Sequence, residues 1–266
     1  SWSEDPEYVM VLPPWIDYNI KNAFIEDGVT SIGKNAFYTE REWEDRGLIS
    51  VTIPVSVTAI DENAFYGCDK LTDVYYAGTV EQFAAITIQS RSTNKSLLFA
   101  EIHCTDGVYD VYTQGTCGAE GDNLNWTLHN NGVLEISGTG DMANYNSLFD
   151  YIYASGVSPW CYDQSLITTV VIGEGVTGIG NSAFSGCTTL TSVVFNGKVT
   201  RIGDYAFYKC KGLTDVKVPE SVTNMGSYVF YGCTGLSSIA LGDSLCGVGD
   251  YAFYNCTGLT DITLPD

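Results

Sequence analysis

The chain has 266 residues, of which 45% are hydrophobic, and a formal net charge of −20 from 12 basic and 32 acidic residues. This acidic excess argues against a nucleic-acid partner, because affinity for a phosphate backbone comes largely from Lys and Arg. No stretch approaches the ~20 apolar residues of a membrane-spanning helix. We therefore expect a water-soluble chain without a membrane-spanning segment, and a trimmed piece of a longer protein.

The N-terminal part contains the first repeat-like segments. Residues 29–37 and 57–68 share the pattern Val-Thr-x-Ile followed by Asn-Ala-Phe, with Phe37 and Phe65 28 positions apart. We assign residues 20–107 to repeat array 1 and read residues 40–46 as a charged insertion. Residues 1–19, which include Pro14-Trp15, are expected to be a truncated N-terminal cap, since an open repeat end needs covering.

Array 1 is predicted to end in a strand followed by a short helix. Residues 71–76 alternate as a strand does, and residues 77–86 follow directly. The spacing of Val80, Phe83, Ala84 and Ile86 is typical of an amphipathic helix.

Residues 108–165 are predicted to form a small β-module that caps the second array. Two alternating apolar runs flank Asn130-Asn131-Gly132, which indicates a β-hairpin. Residues 138–143 match a G-x-G-x-x-A dinucleotide fingerprint, but residues 144–147 cannot open the helix that would hold a pyrophosphate. We interpret this segment as a glycine-rich turn. Pro159-Trp160 precedes array 2 as Pro14-Trp15 precedes array 1.

Residues 166–266 form array 2, in which four columns of residues recur every 23 positions. The columns are Gly180, Gly203, Gly226 and Gly249; Phe184, Phe207, Phe230 and Phe253; Cys187, Cys210, Cys233 and Cys256; and Leu190, Leu213, Leu236 and Leu259. A strict period of this length indicates one supersecondary unit stacked on copies of itself, which is a solenoid. Such a fold offers an extended recognition surface rather than a deep catalytic pocket.

Strand alternation divides each coil of array 2 into core and displayed residues. The predicted core positions of one coil are Leu213, Val216, Val218, Val222, Met225, Phe230 and Cys233. The displayed ladder comprises Thr191, Ser192, Val194, Thr214, Asp215, Lys217, Ser237, Ser238, Ala240, Thr260, Asp261 and Thr263. Asp204 and Asp250 are expected to cap short helical turns.

Two tyrosine columns run along another face of array 2 and are the candidate binding residues. One contains Tyr205, Tyr228 and Tyr251, and the other Tyr208, Tyr231 and Tyr254. The structural interpretation is a stack of equal rings over the core at the ~4.8 Å strand spacing. A protein- or glycan-binding strip is compatible with that stack, because tyrosine gives rigid amphipathic contact area.

The nine cysteines do not require a disulfide framework. Cys68 and the four cysteines of array 2 share one slot, where a thiol acts as a compact hydrophobe and equivalent Cβ vectors run parallel. We expect buried, reduced thiols there, and leave the state of Cys104, Cys117, Cys161 and Cys246 open. No zinc-ligand spacing occurs, neither His103 nor His129 has a nucleophile arrangement, and no cofactor is expected.

The coil Leu-x-x-Val-x-Val, then Pro-x-x-Val-Thr-x-Ile-Gly-x-x-Ala-Phe-x-x-Cys, resembles the BspA-like (Treponema pallidum-type) leucine-rich repeats of bacterial surface proteins. The resemblance covers residues 168–266 and returns at 29–37 and 57–68. It implies a β-rich leucine-rich-repeat solenoid of two arrays with a β-module between them. It also implies a secreted or cell-surface bacterial protein without catalysis, which binds a host or neighbouring-cell protein or glycan. An accessory region of a secreted polysaccharide-acting enzyme and a structural stalk remain alternatives.

Overall fold

The computed structural model describes residues 19–39, 47–146, 156–260 and 262. The predicted N-terminal cap up to residue 18, the insertion at 40–46 and the displayed residues Asp261 and Thr263 lie outside them. The chain divides into two compact units, Ser1–Tyr112 and Thr113–Asp266. The division into a cap, two arrays and a β-module stays a prediction.

The described part of the first unit contains short strands and two helices of five residues each. The strands are β1 (Asn22–Phe24), β2 (Ser31–Ile32), β3 (Ser50–Ile53), β4 (Ala59–Ile60), β5 (Asp73–Tyr76), β6 (Thr87–Ile88), β7 (Glu101–Cys104) and β8 (Gly107–Tyr109), and the helices are α1 (Val80–Ala84) and α2 (Lys95–Phe99). Helix α1 confirms the helix expected after β5, with Phe83 and Ile86 buried but Ala84 exposed. Helix α2 was not predicted.

The second unit is built from strands throughout its described part. They are β9 (Val111–Gly118), β10 (Gly121–His129), β11 (Val133–Gly138), β12 (Gly140–Asp141), β13 (Thr169–Ile172), β14 (Val176–Ile179), β15 (Ser192–Phe195), β16 (Arg201–Ile202), β17 (Asp215–Lys217), β18 (Asn224–Met225), β19 (Ser238–Ala240) and β20 (Gly247–Val248). Strands β10 and β11 pair antiparallel and confirm the predicted hairpin. The Gly138–Ala143 motif lies at the end of β11 and in β12, so it opens no helix.

Parallel ladders with a repeated register connect successive coils. In the first unit the sheet order is β1-β3-β5-β7-β8, with β2-β4-β6 as a second sheet. In the second unit the orders are β15-β13-β11-β10-β9, β12-β14-β16-β18-β20 and β17-β19. Thr169 pairs with Ser192, Arg201 with Asn224 and Asp215 with Ser238, each 23 positions later. The result is a β-rich repeat fold in both units.

The core of each coil follows the predicted alternation. Leu213, Val216, Val218, Val222, Met225, Phe230 and Cys233 are all at most 3% exposed. Asp215 and Lys217 are exposed on the opposite side of the strand, and Thr214, directly before it, is exposed as well. The predicted core and displayed sets are therefore confirmed for this coil, because a pleated strand sends successive side chains to opposite faces.

Glycine is required at Gly203 and Gly226 because neighbouring coils approach each other closely there. A Cβ at Gly203 would collide with the side chain and the backbone nitrogen of Asn181, and one at Gly226 would do the same at Asp204. Any larger residue would therefore push two coils apart, which explains why glycine recurs at this point of the turn.

A further hydrogen-bond ladder runs through the turns that carry the phenylalanines. The N–H groups of Tyr205, Phe207 and Lys209 donate to carbonyls of the next coil, those of Ser227, Val229 and Tyr231. Between them, Tyr208 and Cys210 donate within their own turn, to Tyr205 and Phe207. Alternate peptide groups thus join the coils, and the others close each turn.

Asp204 was predicted to cap a short helical turn, and the turn that its carboxylate contacts belongs to the next coil. Its Oδ1 accepts a hydrogen bond of 2.7 Å from the N–H of Ser227, one coil later. Asn181 accepts in the same way from the N–H of Asp204, and Ser227 Oγ from that of Asp250. The coils lie close enough for the side chain to reach the neighbouring backbone, which a single repeat does not reveal.

Side chains end the turn ladder of the first unit. Asn94 is fully buried; its Oδ1 accepts from the N–H of Phe65, and its Nδ2 donates to the carbonyls of Asp61 and Gln89, all at 2.9 Å. Thr93 Oγ1 accepts from the N–H of Asn63. Thr93 Oγ1 and Asn94 Oδ1 lie where a further coil would place its backbone carbonyls. The N–H groups of Asn63 and Phe65 therefore have hydrogen-bond acceptors although no further coil follows this turn.

Trp160 covers the first ring of the phenylalanine stack in the second unit. Its ring is fully buried and stacks on Phe184 at 5.6 Å with an angle of 16° between the ring planes. Its Nε1 donates to the carbonyl of Ala183 at 2.9 Å. Trp126 packs edge-on against it at 5.7 Å. This arrangement agrees with a capping role for Trp160.

Candidate functional site

The six candidate tyrosines lie in the turns of the second unit, on either side of the buried phenylalanine of each coil. Tyr205, Tyr208, Tyr228 and Tyr231 are half-buried, whereas Tyr251 and Tyr254 in the last described coil are 57% and 56% exposed. The structure therefore brings all six together on one surface.

The rings stack within each column at nearly constant spacing. Tyr205 and Tyr228 lie 4.8 Å apart with an interplanar angle of 2°, and Tyr228 and Tyr251 5.1 Å apart. In the second column the centroids of Tyr208, Tyr231 and Tyr254 follow at 5.1 and 5.2 Å. The two columns meet edge-on or tilted, at 5.6 to 5.8 Å within a coil. Stacking, the structural interpretation, is thus observed.

Stacking decides which chemistry the columns can offer. Each inner ring is covered on its faces by the rings above and below, so it presents an edge to the surroundings. An aromatic edge carries positive partial charge and a phenol can both donate and accept a hydrogen bond. The columns are therefore suited to polar contacts along their edges, and broad ring contact is possible mainly at the exposed Tyr251 and Tyr254.

The first column holds an unusual backbone conformation. Tyr205, Tyr228 and Tyr251 have φ values of 58°, 59° and 55°, in the left-handed region that bulky residues rarely adopt. Each such residue costs on the order of 1–3 kcal/mol. Asn35 and Asn63 occupy the same slot in the first unit at a φ of 59°, and asparagine tolerates this region much better. Tyrosine is thus kept here despite its backbone cost.

The second column has counterparts in the first unit that sequence reasoning did not single out. Tyr38 and Tyr66 each follow the buried phenylalanine position of their turn, and their rings stack at 5.4 Å with an angle of 10°. The signal was present in the sequence, because Tyr38 and Tyr66 follow Phe37 and Phe65 as Tyr208 follows Phe207. The irregular spacing of array 1 hid it.

The cysteine column is buried and bonded in a way the sequence did not indicate. Cys187, Cys210 and Cys233 are at most 1% exposed, and all nine cysteines are unpaired in the structure. The Sγ atoms of Cys210 and Cys233 each donate to the phenylalanine carbonyl of the preceding coil at 3.1 Å. Burial raises the pKa of Cys187 and of Cys233 to about 12. The thiols therefore stay protonated near neutral pH. They donate hydrogen bonds to the backbone and also fill space in the core.

We expect the buried thiols to label far more slowly than an exposed one in the native protein. Cys246 is exposed and serves as the internal control. A thiol reagent at pH 8 should modify Cys246 first and reach Cys187, Cys210 and Cys233 only after denaturation, because thiolate is the reactive form. Cys210→Ala should cost only about 1 kcal/mol, since one hydrogen bond and a small side chain are lost. Rapid native labelling of all four ladder thiols would contradict this account.

Several of the remaining titratable groups lie against one another in the described part of the chain. His103 Nε2 lies 3.2 Å from Asp73 Oδ1, and His129 Nε2 lies 3.5 Å from Glu135 Oε2. Arg201 binds Asp141 at 2.8 Å, and the hydrogen bonds from Thr177 and Arg201 lower the pKa of that carboxyl. Within the described ranges, no group of three or more His, Cys, Asp and Glu residues is placed to hold a metal ion.

Within the described ranges, no helix combines the length and the apolar character that crossing a membrane requires. Both helices have five residues.

Comparison with known proteins matches the repeats to one family. The model of the BspA type leucine-rich repeat region matches in 6 copies, over residues 16–102 and 156–266. A search of curated proteins found no match.

Solved structures of bacterial repeat proteins are also similar to this chain. A leucine-rich repeat protein from Eubacterium ventriosum is 27% identical, over 55% of this chain and 43% of its own, with a TM-score of 0.41. The T. pallidum leucine-rich repeat protein is 26% identical over 50% and 64%, with a TM-score of 0.39. A leucine-rich cell surface protein from Faecalibacterium prausnitzii is 23% identical over 92% and 60%, with a TM-score of 0.36. The chain spans less than two thirds of each of these proteins.

Proposed function

The chain belongs to the BspA-type leucine-rich-repeat family, and from this premise we propose that it is a non-catalytic binding region of a secreted or cell-surface bacterial protein. Its partner is a protein or a glycan of a host or of a neighbouring cell. Many weak contacts along a repeated surface add up to useful avidity without a deep pocket. The observation that carries the proposal is the pair of tyrosine columns, which repeat the same side chain along one face.

The proposal treats each repeat region as a short solenoid, with a 23-residue coil in array 2. Three features support it: the strand register, the turn ladder and the ring stacks all advance by 23 positions between residues 169 and 254. A solenoid of this kind keeps equivalent side chains in line, so that one contact type is offered several times.

The choice of residue in the first tyrosine column supports a binding role. The turn itself is compatible with asparagine or serine, as Asn35, Asn63 and Ser182 show with the same positive φ. Tyrosine in that slot costs backbone energy that stacking must offset. A side chain retained against such a cost is selected for its stack or for what it displays, and tyrosine is enriched at interface hot spots.

A triple substitution of the outer column tests the proposal. Replacing Tyr208, Tyr231 and Tyr254 by serine should weaken binding to the partner more than replacing Thr214, Asp215 and Lys217, by roughly tenfold or more if these rings are hot spots. The tyrosines lie in the turns of three successive coils, whereas Thr214, Asp215 and Lys217 lie on the outward side of one coil, so the comparison is between three changes on each face. Affinity is measured by surface plasmon resonance after circular dichroism has confirmed the fold of each variant.

Equal losses from the two triple variants, or a larger loss from the second, would move the site to the strand face. Substitution of Tyr205, Tyr228 and Tyr251 is the less suitable test, because those residues also set the turn conformation.

A further inference from the structure

The outward face of the main sheet in the first unit differs from its counterpart in the second. Its residues fall into two rows that cross the strands. The polar row is Asn22, Ser50, Asp73 and Glu101, and the aromatic row is Phe24, Thr52, Tyr75, His103 and Val108. The equivalent positions of the second unit carry Thr169, Ser192, Asp215 and Ser238, and Val171, Val194, Lys217 and Ala240. Among the described residues of these rows, aromatic rings thus occur in the first unit and not at the equivalent positions of the second.

Several large apolar side chains of the aromatic row are exposed to solvent and do not contribute to the core. Phe24 is 78% exposed, Tyr75 47% and Val108 49%. The ring of His103 stacks on that of Tyr75 at 4.9 Å, which leaves the other face of Tyr75 turned toward Thr52. Exposed large apolar side chains gathered on one face mark interaction surfaces.

Thr52 creates a notch between two of these rings. Phe24 and Tyr75 stand on the strands to either side of β3, so their backbones are separated by two strand spacings, or ~10 Å. The short side chain of Thr52 forms the floor between them. A gap of this width accepts one planar or slender group with an aromatic ring on each side.

The charge beside the notch selects the sign of that group. Asp73 and Glu101 lie in the adjacent row and share one imidazole, with His103 Nε2 at 3.2 Å from Asp73 and Nδ1 at 3.8 Å from Glu101. Hydrogen bonds from Thr72 and His103 lower the pKa of Asp73, so its carboxylate is ionised at neutral pH. Because two carboxylates face one imidazole, the net charge of the site is negative whether His103 is neutral or protonated. The two rows contain no Lys or Arg.

We propose that this face of the first unit binds an extended polypeptide segment of a protein partner that carries arginine or lysine, with one cationic side chain held in the notch between Phe24 and Tyr75. A cation over an aromatic face is attracted by the ring quadrupole, and arginine also stacks as a plane. Asp73 and Glu101 then pair with the charge. The proposal deepens the binding function stated above and rests on it, but it uses a different surface.

The same features disfavour other occupants. A second copy of the chain would bring an equal −20 charge, and a symmetric contact would place its acidic row against this one. An anionic glycan would be repelled by the carboxylates. A neutral glycan can donate hydroxyl hydrogens to Asp73 and Glu101 but carries no charge for them to attract.

A short labelled peptide of alternating arginine and serine serves as the probe, measured by fluorescence anisotropy with the full chain near physiological salt. Phe24→Ser, Tyr75→Ser and Glu101→Gln should each weaken binding by roughly fivefold to tenfold. Val194→Ser and Asp215→Asn, the matched changes at equivalent positions of the second unit, should change it less than about twofold, because the rows of that unit carry no pair of aromatic rings to hold the cation. Tyr75→Phe, which keeps the ring, should retain affinity.

Three results would overturn the proposal. They are equal losses from both sets of variants, equal affinity for a peptide with citrulline in place of arginine, and self-association that Phe24→Ser and Tyr75→Ser abolish. This inference fails alone if Phe24→Ser, Tyr75→Ser and Glu101→Gln leave the affinity for the arginine peptide unchanged while the tyrosine columns still bind a protein or glycan. The proposed function then stands. If no partner binds either surface, both fail.

Discussion

Replacing Phe207 by alanine is expected to lower the free energy of unfolding by about 3–5 kcal/mol. The ring is fully buried and lies between those of Phe184 and Phe230, each at 5.3 Å. Its removal opens a cavity in the middle of the stack, where neighbouring coils are held by backbone ladders and cannot close the gap. The change is read from the shift of the urea midpoint at constant slope.

The matched control is Phe24→Ala, which removes the same side chain from a site that is 78% exposed. Its effect on stability should stay within about 0.5 kcal/mol. Comparable losses from Phe207→Ala and Phe24→Ala would show that the phenylalanine stack does not hold the coils together.

Asn94→Ala is expected to be the second most destabilising change, by roughly 2–4 kcal/mol, because buried polar groups lose their partners. The substitution removes three hydrogen bonds at once, including the one that satisfies the N–H of the fully buried Phe65. Thr93 Oγ1 accepts from the neighbouring N–H of Asn63, but the acceptor for the N–H of Phe65 is Asn94 Oδ1. The loss is measured by urea unfolding as above.

Asn22→Ala provides the control for that change. Asn22 is an exposed asparagine with one side-chain hydrogen bond, from Ser50 Oγ at 2.7 Å. Its replacement should cost less than about 1 kcal/mol. If the two asparagine variants unfold at the same urea concentration, Asn94 does not cap the ladder.

Recurrence is the strongest signal in this sequence, and some of the features that occur once leave no signal in it. Columns such as Phe207 and Cys210 could be assigned to the core because four coils repeat them. Asn94 and helix α2 belong to no column, so nothing in the chain marks them as the end of a ladder. That Asp204 contacts the turn of the next coil could not be predicted, because a single repeat does not show how closely the next coil approaches.

The two candidate binding surfaces also differ in how far the sequence predicts them. The six tyrosines of array 2 could be found by their period, and their stacking follows from it. That the stack covers the ring faces and leaves the edges is a consequence of ring orientation, which no pattern reports. The row of Phe24, Tyr75 and His103 was missed, since its members lie at intervals that alternate between long and short coils and only strand register aligns them.

An array of glycans and matrix proteins, probed with the purified chain, tests the central claim most directly. The account predicts reproducible binding to at least one protein or glycan, reduced for the variant with serine at Tyr208, Tyr231 and Tyr254 and unaccompanied by any cleavage of the bound molecule. Consistent silence across the array, or release of a cleaved product, would contradict it.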